Sequence, residues 1–164
     1  MKKMLSVFVV LAVMFVAIGC TGGNKETQTD TPDVVSEKNQ FDGEFMSFEY
    51  PEPWIVSADP NFKMVNAENP TTKCYILIKL EKESFKDAET AVTNFAQTYG
   101  GTPAELVTYG DVNYYQTSFE YGGLPQTMLV NIENEDKLTI TLQGEGHKDN
   151  KAIKEILDSI VLKY

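Results

Sequence analysis

The sequence predicts an α+β fold in which one largely antiparallel β-sheet is flanked by helices, and three observations predict it. From Phe41 to Leu80, short β-rich runs bounded by Pro, Asn and Asp follow one another with no helical pattern between them. One 3.6-residue pattern then occupies residues 84–99 and stops at Gly100-Gly101. Beyond it the period drops to two, and turn signals at Gly110-Asp111, Gly122-Gly123 and Asn134-Glu135-Asp136 divide the chain into a meander. Strands grouped together, and not alternating one by one with helices, favour antiparallel pairing over a doubly wound parallel sheet.

Taken in order, Phe45 to Tyr50 is an aromatic-rich strand, Pro51 and Pro53 bound a bend, and Trp54-Ile55-Val56 forms a short strand. Asp59-Pro60-Asn61 turns the chain into a strand at Phe62 to Val65, and Asn69-Pro70-Thr71 turns it again. Cys74 to Leu80 is almost continuously apolar, the pattern of a central strand covered on both faces.

Ser84-Phe85-Lys86-Asp87 has the spacing of a capping box, with Asp in place of Glu or Gln. Ala88, Ala91, Val92, Phe95, Ala96 and Tyr99 then share one helical face. Strands at Glu105–Tyr109, Val112–Tyr121, Gln126–Ile132 and Lys137–Gln143 follow. In the last of these Leu138, Ile140 and Leu142 alternate with Thr139, Thr141 and Gln143. A closing helix near Asn150 to Ile160 carries Ile153, Ile156, Leu157 and Ile160 on one side, with Asp149 as its predicted N-cap.

The segment before the domain has a different character. Lys2 and Lys3 precede an apolar run, Leu5 to Ile18, broken only by Ser6 and ended by Gly19. A positive start, an apolar centre and a small-residue end make a secretory signal. Val16-Ala17-Ile18-Gly19-Cys20 resembles the lipobox of bacterial lipoproteins, in which the signal is cut before the Cys and that Cys is lipidated. Ala17 stands where such boxes usually carry Leu. Cleavage by an ordinary signal peptidase would instead leave a free thiol. A retained anchor would need ~20 apolar residues, more than this run holds. The expectation is therefore a signal over residues 1–19, a lipidated Cys20 with a flexible tether over residues 20–40, and a single domain over residues 41–164. The polar tether, with Val34-Val35 its only sizeable apolar pair, spans roughly 25 Å.

Without residues 1–19 the chain holds 12 Lys against 24 acidic residues, a net charge of −12, and it has no Arg. That balance disfavours nucleic-acid binding, which needs basic patches to neutralise phosphate. It equally disfavours electrostatic attachment to an anionic bilayer, so a membrane association must be made by lipid on Cys20. With Cys20 lipidated, Cys74 has no partner for a disulfide; within its apolar strand it is expected to pack as a small core hydrophobe.

Catalytic patterns are absent from the sequence. His147 is the one histidine, in Gly144-Glu-Gly-His-Lys148, and is expected in a solvated loop. No Gly-x-Ser-x-Gly elbow accompanies it. One His and one strand Cys do not make a zinc site, and Gly100-Gly101 follows a helix, so it cradles no phosphate. Glu133-Asn-Glu-Asp136 lacks the register of a calcium loop and reads as a solvated turn. No cofactor, metal or catalytic residue is expected. The aromatic face of the long strand is the candidate recognition surface. Tyr115, Phe119 and Tyr121 share that face, with Tyr114 opposite.

Phe45-x-x-Phe48-x-Tyr50-Pro51-x-x-Trp54 resembles the opening "F-x-Y-P-x-x-W" strand and bend of PsbP-like and Mog1-like domains. Ile156-Leu-Asp-Ser-Ile-Val-Leu162 is similar to their closing helix and the turn after it, so the resemblance spans about residues 41–164. It implies an α/β/α sandwich around an antiparallel sheet, and a non-enzymatic role as an accessory, assembly or binding subunit. Tyr50, Pro51 and Trp54 match a structural motif, not a site. The resulting expectation is a non-enzymatic, extracytoplasmic lipoprotein that serves as an interaction module for an envelope protein partner. The alternatives are a binder of an apolar molecule or metal ion, and, behind it, a hydrolase using His147.

Overall fold

The computed structural model describes residues 38–82 and 85–163. The signal, Cys20 and the tether up to residue 37 lie outside the described residues, as does Ser84.

Local signals position most of the strands. Seven of them form one antiparallel sheet: β3 (Ile55–Asp59), β4 (Met64–Glu68), β5 (Tyr75–Lys82), β6 (Glu105–Tyr109), β7 (Val112–Tyr121), β8 (Leu124–Glu133) and β9 (Asp136–Gln143). Their spatial order is β3-β4-β5-β9-β8-β7-β6. The β7–β8 and β8–β9 hairpins close through Gly122-Gly123 and Asn134-Glu135. All four of these residues have positive φ, the mirror-image turn whose twist matches that of paired strands. A second antiparallel sheet, in the order β1-β2-β10, joins β1 (Lys38–Asp42), β2 (Met46–Pro51) and β10 (Val161–Leu162).

Alternation of side chains across the large sheet creates two apolar layers. Ile76, Ile78, Leu80, Tyr114, Leu129, Leu138, Ile140 and Leu142 point to one face. There they meet Ile153, Ile156 and Leu157 of α2 (Lys151–Asp158) together with Met46 and Phe48 of β2. Met128 and Val130 point to the other face, under Val92 of α1 (Ala88–Tyr99). The result is an α+β fold in three layers: α1, the seven-stranded sheet, and α2 with the small sheet.

Several boundaries differ from the sequence-based expectation. β1 opens at Lys38, three residues before the predicted start of the domain, and β10 was not foreseen. The predicted strand at 62–65 is replaced at its start by a 3₁₀ turn, Pro60–Phe62. Pro60 suits a first helical position, and the Asp59 carboxylate accepts from Asn61 N at 3.0 Å. Trp54 is buried in a turn ahead of β3, its backbone N–H donating to Pro51 O at 3.1 Å. The central strand is fully covered on one face only. Ile76, Ile78 and Leu80 are buried, whereas Tyr75, Leu77 and Lys79 are half-buried because α1 lies over β7 and β8 instead.

The helix starts also moved. Asp87 is itself the N-cap of α1, accepting from Thr90 N at 2.7 Å. A carboxylate there satisfies an orphan N–H and complements the helix dipole. Asp149 belongs to a 3₁₀ turn, His147–Asp149, and Asn150 caps α2 by accepting from Ala152 N at 3.0 Å and Ile153 N at 3.2 Å.

Candidate functional site

The three aromatic residues expected to form a recognition surface separate in the structure. Tyr115 and Phe119 lie under α1; the Phe119 ring meets that of Phe95 edge-on at a centroid distance of 4.9 Å. Edge-to-face contact of this kind adds to the burial that holds α1 on the sheet. The Tyr115 hydroxyl donates to the Glu89 carboxylate, and that bond pushes its pKa up. Tyr121 alone of the three stands open, 65% exposed, at the end of β7. Tyr114 faces the opposite side, as expected, and is fully buried.

The histidine differs more sharply from expectation. His147 is only 3% exposed. Its Nδ1 is 2.8 Å from Gly144 O and its Nε2 is 2.8 Å from Thr127 Oγ1, which in turn is 3.1 Å from Ser118 Oγ. Gly144 permits this arrangement: its φ is +115°, and a Cβ there would lie 2.9 Å from Lys73 O. The loop can therefore lie flat on the backbone of Lys73 and Cys74, just ahead of β5, and turn the imidazole inward.

The relay opens at Ser118 into a cleft of about 650 Å³ between α2 and the β6–β7 side of the sheet. Leu142, Ile153 and Leu157 form the apolar part of its lining, and Glu105, Gln116, Lys148 and Lys154 add polar groups. The chain ahead of β6 forms one wall. Thr102 N donates to Ser118 O at 2.8 Å, and Ser118 N donates to Thr102 Oγ1 at 3.0 Å. Gly110, in the turn after β6, fixes the far end. It has φ +55°, its N–H donates to Asp158 Oδ1 at 3.2 Å, and a Cβ would come within 2.4 Å of Asp158 O. The cleft falls within the range of ligand pockets, yet it is half polar and not the apolar cavity a purely apolar ligand would need.

Tyr109 is part of the cleft wall, and burial pushes its phenol above its ordinary pKa of 10.0. Lys154 opposes that shift, while Asp158 and Glu105 reinforce it. A raised folded-state pKa means that the folded chain holds the proton more tightly than the unfolded chain. The stabilisation is complete below pH 10.0 and is lost as pH rises through the higher folded value. Thermal unfolding followed across about pH 9 to 11 should show a falling Tm, and Tyr109→Phe, which has no proton to lose, should flatten part of the fall.

None of these residues was legible as a group. Ser118 and Thr127 fall on the face of Tyr114 and Leu129 by strand parity, which placed them on the α2 side, but nothing local tied either to His147. Among the described residues no group of three or more His, Cys, Asp or Glu is placed to hold a metal ion. The acidic turn at 133–136 is instead a tight hairpin, with Asp136 paired to Lys82 at 3.0 Å. Cys74 is buried, as expected of a core residue, with Asn150 Nδ2 3.6 Å from its sulfur. Among the described residues no helix is long and apolar enough to cross a membrane.

No family model matches the chain, and no curated protein matches it. Solved structures do. A protein of Bacteroides thetaiotaomicron superposes with a TM-score of 0.53 at 17% identity, over 76% of this chain and 48% of its own. The chain thus spans about half the length of that protein. Cyanobacterial PsbP (CyanoP) of Synechocystis superposes with a TM-score of 0.50 at 12% identity, over 80% of this chain and 96% of its own. LpqN of Mycobacterium tuberculosis, a protein involved in cell envelope biogenesis, gives a TM-score of 0.48 at 12% identity, over 80% and 88% of the two chains. The likeness to CyanoP shows the fold, which is PsbP-like.

Proposed function

We propose that the chain is a lipid-anchored, extracytoplasmic accessory protein of the cell envelope, non-enzymatic, which docks onto an envelope protein through the tip of its β7–β8 hairpin. The observation that carries the reading is that tip. Tyr121 and Leu124 are both exposed there, side by side across Gly122-Gly123. Aromatic side chains presented on a rigid hairpin are typical anchors of protein interfaces, because they bury large area at little conformational cost. The lipobox-like ending at Cys20 supports attachment by lipid, and the excess of acidic over basic residues disfavours electrostatic attachment in its place. Tyr115 and Phe119 then serve to seat α1, leaving Tyr121 as the recognition residue of the three.

In-cell crosslinking of the full chain tests this, with Cys20→Ser and the pair Tyr121→Ala, Leu124→Ala as comparisons. One envelope protein crosslinked by the native chain should be lost with either variant. Equal crosslinking by all three forms, or none by the native chain, refutes the docking role.

A further inference from the structure

We infer that the cleft beneath α2 is a binding site for a small zwitterion with an apolar body, of the class of a short peptide. The polarity of the buried relay comes first. Gly144 O can only accept, so the hydrogen lies on His147 Nδ1. In the neutral ring Nε2 is then the acceptor, and Thr127 spends its one hydrogen on it. Ser118 must in turn donate to Thr127. The Ser118 oxygen is left facing the cleft with acceptor capacity and no proton to give, so an incoming group that meets it has to be a donor.

The charges at the same cleft sharpen this requirement. Glu105 Oε2 accepts from Gln116 Nε2 at 3.1 Å, and Glu105 has no lysine partner among the described residues. It offers a second, negatively charged acceptor at the same cleft, so the donor that suits the site is an ammonium group. Lys148 supplies the opposite sign and likewise has no carboxylate partner among the described residues, whereas Lys154 is occupied by Asp158. One unpaired charge of each sign at one cleft favours a ligand that carries both, because either charge alone would leave its counterpart unanswered. Pro103, Ala104 and the half-buried Tyr109 ring provide accessible apolar surface for the body of such a ligand, over a floor made by the buried Leu142, Ile153 and Leu157. About 650 Å³ is ample for a dipeptide or tripeptide.

Titration calorimetry on the purified full-length protein with leucyl-leucine tests the assignment. The comparison ligand is the same dipeptide acetylated at its amine and amidated at its carboxylate. The free dipeptide should bind saturably at millimolar or lower concentration and the capped form should not. Glu105→Gln and Lys148→Gln should each weaken binding roughly tenfold, the loss of one charge-assisted contact, with unchanged thermal unfolding because both side chains are exposed. No heat from the free dipeptide, equal binding of the capped one, or full binding by both variants each overturns the inference. The docking proposal is untouched by any of these results, since it is read at Tyr121.

Discussion

Phe48→Ala should remove about 3–5 kcal/mol of folding stability, the cost of deleting a large buried side chain and leaving a cavity. Phe48 is 1% exposed in the middle of β2, with its ring 5.1 Å from Phe41 and 6.2 Å from Tyr50. It belongs to the apolar layer in which β2 and α2 meet the large sheet, so its loss loosens the small sheet and the helix together. A loss of that size is a large share of the ~5–15 kcal/mol that holds a domain folded, and should lower Tm by about 10 °C or more. Denaturant unfolding should show a lower midpoint at an unchanged slope. Phe48→Leu, which refills most of the volume, should cost well under half as much. Phe62→Ala makes the contrast: Phe62, the last residue of the 3₁₀ turn, is 65% exposed, and its removal should change stability by only about 0.5 kcal/mol. If Phe48→Ala unfolded like the native chain, the small sheet would be no part of the core.

The meander from Glu105 to Gln143 was legible because its determinants are local. Gly122-Gly123 and Asn134-Glu135 fix turn type, turn type fixes register, and a period of two does the rest. The two added strands had no such signal. β1 is polar and mostly exposed, held by backbone pairing to β2, and β10 is two residues long. Their existence depends on an edge formed elsewhere in the chain. The covering of Tyr115 and Phe119 was hidden for a related reason. The apolar face of α1 and the aromatic face of β7 were each visible, but their meeting, Phe95 on Phe119, is a tertiary choice that neither pattern contains. The cleft lies further still from local pattern. Glycines that marked Gly144 to Lys148 as a loop were correctly read as turn residues, yet the same glycines let the loop press His147 into the sheet.

His147→Leu should cost about 1–3 kcal/mol, because the buried Thr127 hydroxyl then loses the acceptor that takes its proton. Thr127→Val should cost a similar amount, leaving imidazole Nε2 buried with no donor. The double variant should be more stable than the sum of the two losses implies. Replacing both partners with apolar groups strands neither of them, and groups that share a hydrogen bond couple by about 0.5–3 kcal/mol. A double-mutant cycle on denaturant unfolding measures that coupling directly. Strict additivity would mean that the two side chains do not share a bond, and the fixed direction of the Ser118–Thr127–His147 relay would fall with it. A positive coupling has a further consequence for the cleft. The double variant frees the Ser118 proton from Thr127, so Ser118 can donate as well as accept, and its demand for a donor ligand is relaxed. The Glu105 and Lys148 charges remain in place. Leucyl-leucine affinity should therefore fall less in the double variant than in Glu105→Gln, which separates the part of recognition built by the relay from the part built by charge.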